Sequence, residues 1–460
     1  MERPASTAPP SRRGAGQRDV RLLWWANAAD GIGSQATGAV LPLLLLHLGH
    51  PPRTVGLIAG VSTAVGLLLA PLVAVPADRG ARKRVMLAAS ALAALAMGGL
   101  GLALSLGSPP IALILTAVLA ERVATTSFDA AARGTVALLC PGPEQGRVVS
   151  RLAAADQGSL IVGPALGGLL YQLSRALPFA ADALSYVIGA LCVRAMRSDL
   201  TAPGPDRADP AAPRPADGRT APGGDTASGG DTAAEGDTAA EGDTRRSGGP
   251  GRSRRRGGGL PGEAAAGLRL VRATPLLRLV VLWCTTVNLV VVMLYYEAVF
   301  TLQRGGHGGA ALGAVLAASG AAGLIGALAA PGAAERFGAS RIVPAVTWLL
   351  VPLAVLLATV TGAWAYGLLF ALVCLVMPVA SVLLQTGALG ATAPALQART
   401  GAVLATTTTG AAALAPVLAG LLTDRLTTGA PALACGAALA LLAAHTTRRP
   451  VRGALAGRAG

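Results

Sequence analysis

The ionisable residues inside long apolar segments are where this sequence could do chemistry. Asp30 lies about nine residues into an apolar segment that begins near residue 22, which is roughly 13 Å deep at 1.5 Å per helical residue. This depth is close to the midplane of a bilayer core about 30 Å thick, where burial disfavours an ionised carboxyl. We expect Asp30 to load and release a proton, while the alternative is a packing role with a hydrogen bond to Asn27 or Gln35.

Two further ionisable residues, Glu121 and Arg122, stand side by side near the middle of a later apolar segment. Adjacent residues on a helix do not face each other, so each needs a different partner. Glu121 would be either a second proton carrier or a buried counter-ion for an arginine. Asp156 and Asp182 lie less deep and fit structural roles equally well.

The candidates for substrate contact are Asn27, Gln35 and Glu297. Glu297 follows Tyr295 and Tyr296 at the outer end of its apolar segment, and it is a candidate contact for a cationic substrate. An interfacial position agrees better with its aromatic neighbours. Aromatic residues make up only 3% of the chain, so a cage of aromatic rings around a cation is poorly supported.

The elements that must hold these residues are membrane helices. The chain is 53% hydrophobic and 13% charged, against about 25% charged for soluble domains. Because unpaired backbone groups are not tolerated in lipid, we predict an all-α integral membrane protein with two bundles of six helices. The twelve predicted spans are 22–46, 55–77, 85–106, 110–130, 150–172, 177–196, 276–300, 309–331, 342–361, 364–386, 400–422 and 430–446.

The basic residues predict the orientation of these spans. Arginine-rich and arginine-poor connections alternate along the chain, which places both termini in the cytoplasm of a multi-pass protein of the cell membrane. The stretch 76–87, PADRGARKRVML, is then a cytoplasmic loop with one acid and four cations in residues 78–84. This rule also accounts for the net charge of +15, so we expect no nucleic-acid partner.

Metal and disulfide chemistry are not expected. The five cysteines form no C-x-x-C pair, and the four histidines show no metal-ligand spacing. We therefore predict no metal site and no cofactor. The basic amino terminus also lacks the pattern of a cleaved signal peptide.

The domain organisation follows from composition. We predict a basic cytoplasmic tail at 1–20, a helix bundle at 21–197, a disordered cytoplasmic linker at 198–262, a second bundle at 263–446 and a basic tail at 447–460. The linker contains a six-residue repeat with Asp225, Asp231, Asp237 and Asp243 in step. Calcium binding is the alternative for this repeat, but neither known calcium-loop spacing is matched.

The two bundles are related by an internal duplication. Asp78-Arg79 and Arg84-Val85 match Glu335-Arg336 and Arg341-Ile342 at an offset of 257 residues. Residues 163–168, GPALGG, match residues 415–420, APVLAG, at an offset of 252. Paired halves of six helices are typical of transporters with a substrate site between the halves.

At this point the sequence resembles the major facilitator superfamily, most closely the branch of enterobactin exporters and macrolide efflux proteins. The loop AVPADRGARKR is similar to the family pattern G-x-x-x-D-R-x-G-R-[RK], although the leading glycine is replaced and the second is shifted to Gly80. Residues 163–168 keep the G-P-x-x-G-G motif of exporters, while Thr126 and Ser127 stand where helix 4 of proton-coupled exporters has small residues. The segments 182–191 and 263–281 also resemble this branch.

The resemblance implies roles for particular residues. Arg122 would tune the proton site, and an acid at the end of helix 2 would pair with an arginine and a helix amino terminus to latch the two bundles. The alternative is that the loop only fixes topology. The latch candidates are Asp78, Arg79, Arg82 and Lys83, and the exporter motif supplies Gly163, Pro164, Gly167 and Gly168.

The function expected from these features is proton-coupled efflux of small, largely apolar molecules by a monomer that alternates access. Its partners would be a small-molecule substrate, protons and the lipid bilayer. An importer on the same scaffold is the main alternative. A membrane-embedded enzyme lacks a suitable residue cluster, and an ATP-driven pump would need a phosphate-binding loop that this chain, with Lys83 as its one lysine, does not contain.

Overall fold

The computed structural model describes residues 11–76, 81–139, 144–198, 269–306, 308–360, 362–392 and 394–448, together with 451 and 453. These residues form twelve long helices. They are α1 Ser11–His47, α2 Pro52–Pro76, α3 Arg82–Leu106, α4 Ile111–Leu139, α5 Glu144–Leu173, α6 Leu177–Ala195, α7 Pro275–Arg304, α8 Gly309–Phe337, α9 Ala339–Leu357, α10 Ala363–Gly390, α11 Pro394–Arg425 and α12 Ala430–Thr446.

Each of the twelve predicted spans coincides with one of these helices. Several helices extend past the apolar segment at one end: α1 begins at Ser11 inside the predicted tail, α4 continues to Leu139, and α5 begins at Glu144. A helix does not have to end where the hydrocarbon ends, since its backbone hydrogen bonds are internal. Within the described residues, ten helices are long and apolar enough to cross a membrane, so this is a multi-pass membrane protein.

The two helices outside that group differ for separate reasons. Helix α12 has only 17 residues. Helix α5 combines five glycine, proline and glutamine residues in its second half with charged residues in its first half, which lowers its hydropathy. Both occupy the places in the bundles that the duplication requires.

The two halves, α1–α6 and α7–α12, repeat the same packing. In the first half α1 packs on α5 and α6, α3 packs on α4 and α6, and α2 packs on α4. In the second half α7 packs on α11 and α12, α9 packs on α10 and α12, and α8 packs on α10. The internal duplication predicted from the sequence is therefore confirmed as a pseudo-two-fold relation between the halves.

The halves meet along two equivalent helix pairs, α2 with α11 and α5 with α8. Glycines allow the backbones to approach: a Cβ atom added at Gly313 of α8 would lie 2.6 Å from the Pro164 carbonyl oxygen of α5. The equivalent contact joins Gly56 of α2 to the Pro416 carbonyl oxygen of α11. Gly313 and Gly56 differ by 257 residues, and Pro416 and Pro164 by 252, the two offsets found in the sequence.

These contacts lie at one end of the molecule. We call it the loop end, because it carries the connection between α1 and α2, and we call the opposite end, where α1 begins and α12 finishes, the tail end. At the loop end the Gly168 backbone of α5 meets Gly309 of α8, and the Gly420 backbone of α11 meets Pro52 of α2. The halves are thus closed against each other at the loop end.

Some predicted regions lie outside the described residues. The linker 198–262 does so apart from Ser198, as do Asp78 and Arg79 of the predicted latch. At the boundary of the linker, the buried Asp19 accepts hydrogen bonds from the Arg197 and Ser198 amide nitrogens at 3.1 and 2.7 Å. This acid ties the start of α1 to the residues that follow α6.

Candidate functional site in the central cavity

A cavity of about 780 Å³ lies in the first half and faces the second. At the loop end the cavity is lined by Leu45 and Val55, and at the tail end by Val136 and Gln145. Tyr296 of α7 contributes to its wall. The volume is in the range of small-molecule sites. About half of its lining residues are polar or charged, which is uncommon for side chains at membrane depth.

Asp30 of α1 lies in this cavity and is partly buried. Asn27, one of the two partners predicted for it, instead donates a hydrogen bond to Asp156 Oδ1 at 2.7 Å. Within the described residues the Asp30 carboxylate has no hydrogen-bond partner, so the predicted packing bond is not present. Four other acids, Glu121, Asp129, Asp156 and Asp182, act electrostatically on Asp30.

Glu121 and Arg122 have separate partners, as the helix geometry requires. The Tyr186 hydroxyl of α6 donates to Glu121 Oε1 at 3.0 Å, so the predicted counter-ion role for Glu121 towards an arginine has no counterpart among the described contacts. Arg122 Nε lies 3.4 Å from Ser62 Oγ of α2, and its aliphatic part packs against Gly66. Both residues line the cavity.

Two ionisable residues that the sequence analysis did not single out, Asp129 and Arg133, also line the cavity. They follow Thr125, another lining residue, at intervals of four along α4, so they share a face with it. Asp129 lies within the influence of both Arg122 and Arg133. The helical spacing from Thr125 could have revealed them, but both stand at or beyond the end of the predicted span 110–130.

Asp182 serves a different purpose. Its side chain is fully buried and accepts a hydrogen bond from Thr37 Oγ1 at 2.9 Å, while Ser185 Oγ lies 3.3 Å from its other oxygen. The close approach of Gly33 leaves no room for another side chain at this point. Asp182 therefore fastens α6 to α1 behind the cavity wall.

Of the three residues predicted to contact substrate, two line the cavity and one does not. Asn27 and Gln35 line the cavity. Glu297 does not: it is 1% exposed, it lies inside the second half, and its Oε2 atom has no hydrogen-bond partner. The structure does not bring Glu297 to either cavity, because α7 turns this side chain towards Ala432 of α12; its interfacial position stays a prediction.

The two latch candidates that the structure describes stay within the first half. Lys83 Nζ donates to the Met196 and Arg194 carbonyl oxygens at 2.7 and 3.2 Å, so it caps the carboxyl end of α6. Arg82 packs against Gly134 of α4, and its Nη1 atom is buried without a partner. Neither contact joins the two halves.

The exporter motif in α5 forms two close helix contacts. Gly163 and Gly167 lie against α1, where added Cβ atoms would meet Gln35 and Ala36. Pro164 and Gly168 lie against α8 through Gly313 and Gly309. The motif therefore joins the helix that carries Asp30 to the contact between the halves.

A second cavity of about 430 Å³ in the second half is the pseudo-symmetric counterpart of the first. Its lining residues include Val287, Ser381, Gln385 and Thr408. These occupy the positions equivalent to Asp30, Asp129, Arg133 and Asp156, at offsets of 257 for α7 and 252 for α10 and α11. The described residues that line this second cavity are all uncharged.

The fold and the polar cavity between two duplicated halves define a membrane transporter. The sequence model of the Major Facilitator Superfamily matches residues 23–403, and the chain belongs to this family. It is a family of transporters of small molecules, not of enzymes. Among the described residues no group of three or more His, Cys, Asp or Glu side chains could hold a metal ion.

Solved structures with the same fold are distant in sequence. A bacterial homologue of the human lysosomal transporter Spinster, in an inward-facing and unoccupied conformation, is 13% identical with a TM-score of 0.65, covering 98% of this chain and 95% of its own. A bacterial homologue of the iron transporter ferroportin, also inward-facing, is 14% identical with a TM-score of 0.63 and coverages of 94% and 99%. The nucleoside transporter NupG is 11% identical with a TM-score of 0.61 and coverages of 94% and 98%. No curated protein sequence matches the chain.

Proposed function

We propose that this protein is a proton-coupled exporter of small molecules in the cell membrane, acting as a monomer with both termini in the cytoplasm. The observation that carries the proposal is the Asp30 carboxylate, which lines the cavity beside other acids and has no hydrogen-bond partner within the described residues. A lone carboxyl in this environment binds a proton readily and releases it when water or a cationic group approaches. Asp30 can therefore hold a proton in one state and give it up in the other.

The state described here is the one that loads substrate. The halves are closed at the loop end, and the cavity extends to Gln145 and Val149 near the tail end. The arginine-rich connections at the tail end support a cytoplasmic location for this end. Substrate would enter from the cytoplasm, the halves would rock, and an external proton on Asp30 would favour release and return.

Export, as opposed to import, is supported by the G-P-x-x-G-G motif at Gly163–Gly168. Its Pro164 and Gly168 lie against α8 at the loop end, where they support a closed contact between the halves while the cavity faces the cytoplasm. The same residues carry the resemblance to the branch of enterobactin exporters and macrolide efflux proteins.

The test compares cells that produce the wild-type protein, the Asp30→Asn variant or no protein in a susceptibility panel of antibiotics and metal-chelating metabolites. The wild type should protect against at least one compound, and Asp30→Asn should abolish this protection at equal membrane abundance. Asp424→Asn is the matched control: the same chemical change on an acid outside the cavity, whose exposed ion pair with Arg53 contributes little stability. It should protect like the wild type.

Coupling is then measured in proteoliposomes that contain a pH-sensitive dye, with the compound that gave the largest protection. Addition of the compound should cause a proton flux with the wild type and none with Asp30→Asn. Efflux from cells that persists after an uncoupler collapses the proton gradient would contradict proton coupling.

A further inference from the structure

The two cavities share one backbone frame but not one charge distribution. The first is lined by the carboxyls of Asp30, Glu121, Asp129 and Asp156 and by two arginines, Arg122 and Arg133, a formal excess of two negative charges. The residues at the six equivalent positions of the second half are Val287, Val373, Ser381, Thr408, Cys374 and Gln385. At these six pairs of equivalent positions, charge is therefore present in the first half and absent from the second.

The four carboxylates of the first cavity differ in their partners. Asp129 lies within the electrostatic influence of both arginines. Asp156 accepts the Asn27 amide, and Glu121 accepts the Tyr186 hydroxyl. Asp30 has neither a nearby cation nor a donor among the described residues, so it is the carboxylate that a positive group would gain most by meeting.

The residues that line the second cavity are mainly apolar, unlike the charged residues of the first. Trp283, Val287, Val291, Met377 and Leu404 give it a mainly apolar surface, with Asn288, Gln385 and Thr408 at intervals. Methionine and tryptophan side chains adapt well to flat or irregular apolar bodies. The first cavity faces the second half at Tyr296. Because the second cavity is its pseudo-symmetric counterpart, the second cavity faces the first half.

We infer that the cargo is an amphipathic organic cation, held with its positive group at Asp30 of the first half and its apolar body against the second half. This inference rests on the proposed function, since it names the substrate class of the same cavity. It replaces the largely apolar substrate expected from composition with one that carries a positive charge. The proton and the cation would then compete for one carboxylate, which is a direct means of exchanging them.

The experiment measures equilibrium binding of two probes of equal shape and opposite charge to the purified full-length chain. Tetraphenylphosphonium is the cation and tetraphenylborate the anion. No pH gradient is present, so the result does not depend on proton coupling or on the direction of transport. We expect the cation to bind at least about tenfold more tightly than the anion, since one favourable charged contact of about 1.4 kcal/mol corresponds to this factor.

Two variants locate the site. Asp30→Asn should reduce the affinity for tetraphenylphosphonium about tenfold and leave the weak binding of tetraphenylborate unchanged. Asp424→Asn, the same chemical change on an acid outside both cavities, should bind both probes like the wild type. Folding of each variant is checked by size-exclusion elution in detergent.

Equal affinity for the two probes, preference for the anion, or unchanged cation binding in Asp30→Asn would each overturn the inference. These results would leave proton coupling untouched, because that function is judged by the dye-loaded proteoliposomes. Conversely, cation-selective binding at Asp30 without a proton flux would support the substrate class and contradict the coupling.

Discussion

A single proline explains one hydrogen bond between the halves. Pro42 of α1 has no amide N–H, so the Gly38 carbonyl four residues earlier loses its partner within the helix. The Tyr295 hydroxyl of α7 donates to this carbonyl at 3.2 Å. Gly38 and Tyr295 differ by 257 residues, so the two are equivalent positions that meet across the pseudo-two-fold axis.

We expect Tyr295→Phe to weaken closure of the loop end. Loss of one hydrogen bond of about 0.5–1.5 kcal/mol should shift the equilibrium towards opening by roughly two- to tenfold. The measurement is the rate at which a membrane-impermeant thiol reagent, added outside the cell, labels a cysteine introduced at Leu45, which lines the cavity nearest the loop end.

The control for this prediction is Pro42→Ala, which restores an amide donor for the Gly38 carbonyl within α1. In that background Tyr295→Phe should have a smaller effect on the labelling rate. An equal effect in both backgrounds would show that the tyrosine acts by some route other than this carbonyl.

At the scale of the helices, glycine determines how closely α8 can approach α5. A Cβ atom at Gly313 would lie 2.6 Å from the Pro164 carbonyl oxygen, so a methyl group there must push the backbones apart. Gly332 of the same helix has no neighbouring heavy atom within 4 Å of its Cβ direction. A glycine-to-alanine substitution therefore has a steric cost at Gly313 and none at Gly332.

Gly313→Ala should destabilise the state closed at the loop end by about 1–3 kcal/mol, the usual cost of overpacking a close contact. Gly332→Ala should have no such effect. Labelling of the Leu45→Cys reporter measures this, with faster labelling expected only for Gly313→Ala. Similar rates in the two variants would contradict a sealing role for this contact.

At the scale of the whole molecule, alternating access requires the loop end to open. Arg53 Nε of α2 and Asp424 Oδ2 of α11 lie 3.6 Å apart across the closed loop end, which makes these two positions suitable for a cross-link. In the double variant Arg53→Cys with Asp424→Cys, a short reducible thiol cross-linker should abolish transport, and a reducing agent should restore it.

Each single cysteine variant treated with the same reagent controls for modification of the native thiols, among them Cys192 and Cys374, which are partly exposed. The single variants should retain transport. Full activity of the cross-linked double variant would exclude rocking of the halves about this cavity.

Several features of this protein follow from the sequence alone. The twelve helices were predicted correctly from apolar length, and their pairing at offsets of 257 and 252 was predicted correctly from motifs that match between the two halves. These features depend on bilayer thickness and helix rise, which act on each segment locally. The glycines of α5 were identified through the resemblance to the exporter motif, and the structure places them at close helix contacts, where small residues are favoured in lipid.

Other features depend on which face of each helix points towards the cavity or a neighbouring helix. That orientation is determined only when all the helices pack together. The sequence did not predict Asp129 and Arg133 in the cavity, the caps that Lys83 gives to α6, or the burial of Glu297 within the second half. A polar side chain at a given depth can face lipid, a neighbouring helix or water, and its own segment does not distinguish these environments. The tertiary structure made that choice, and it gathered the charges of the cavity into one half of a duplicated frame.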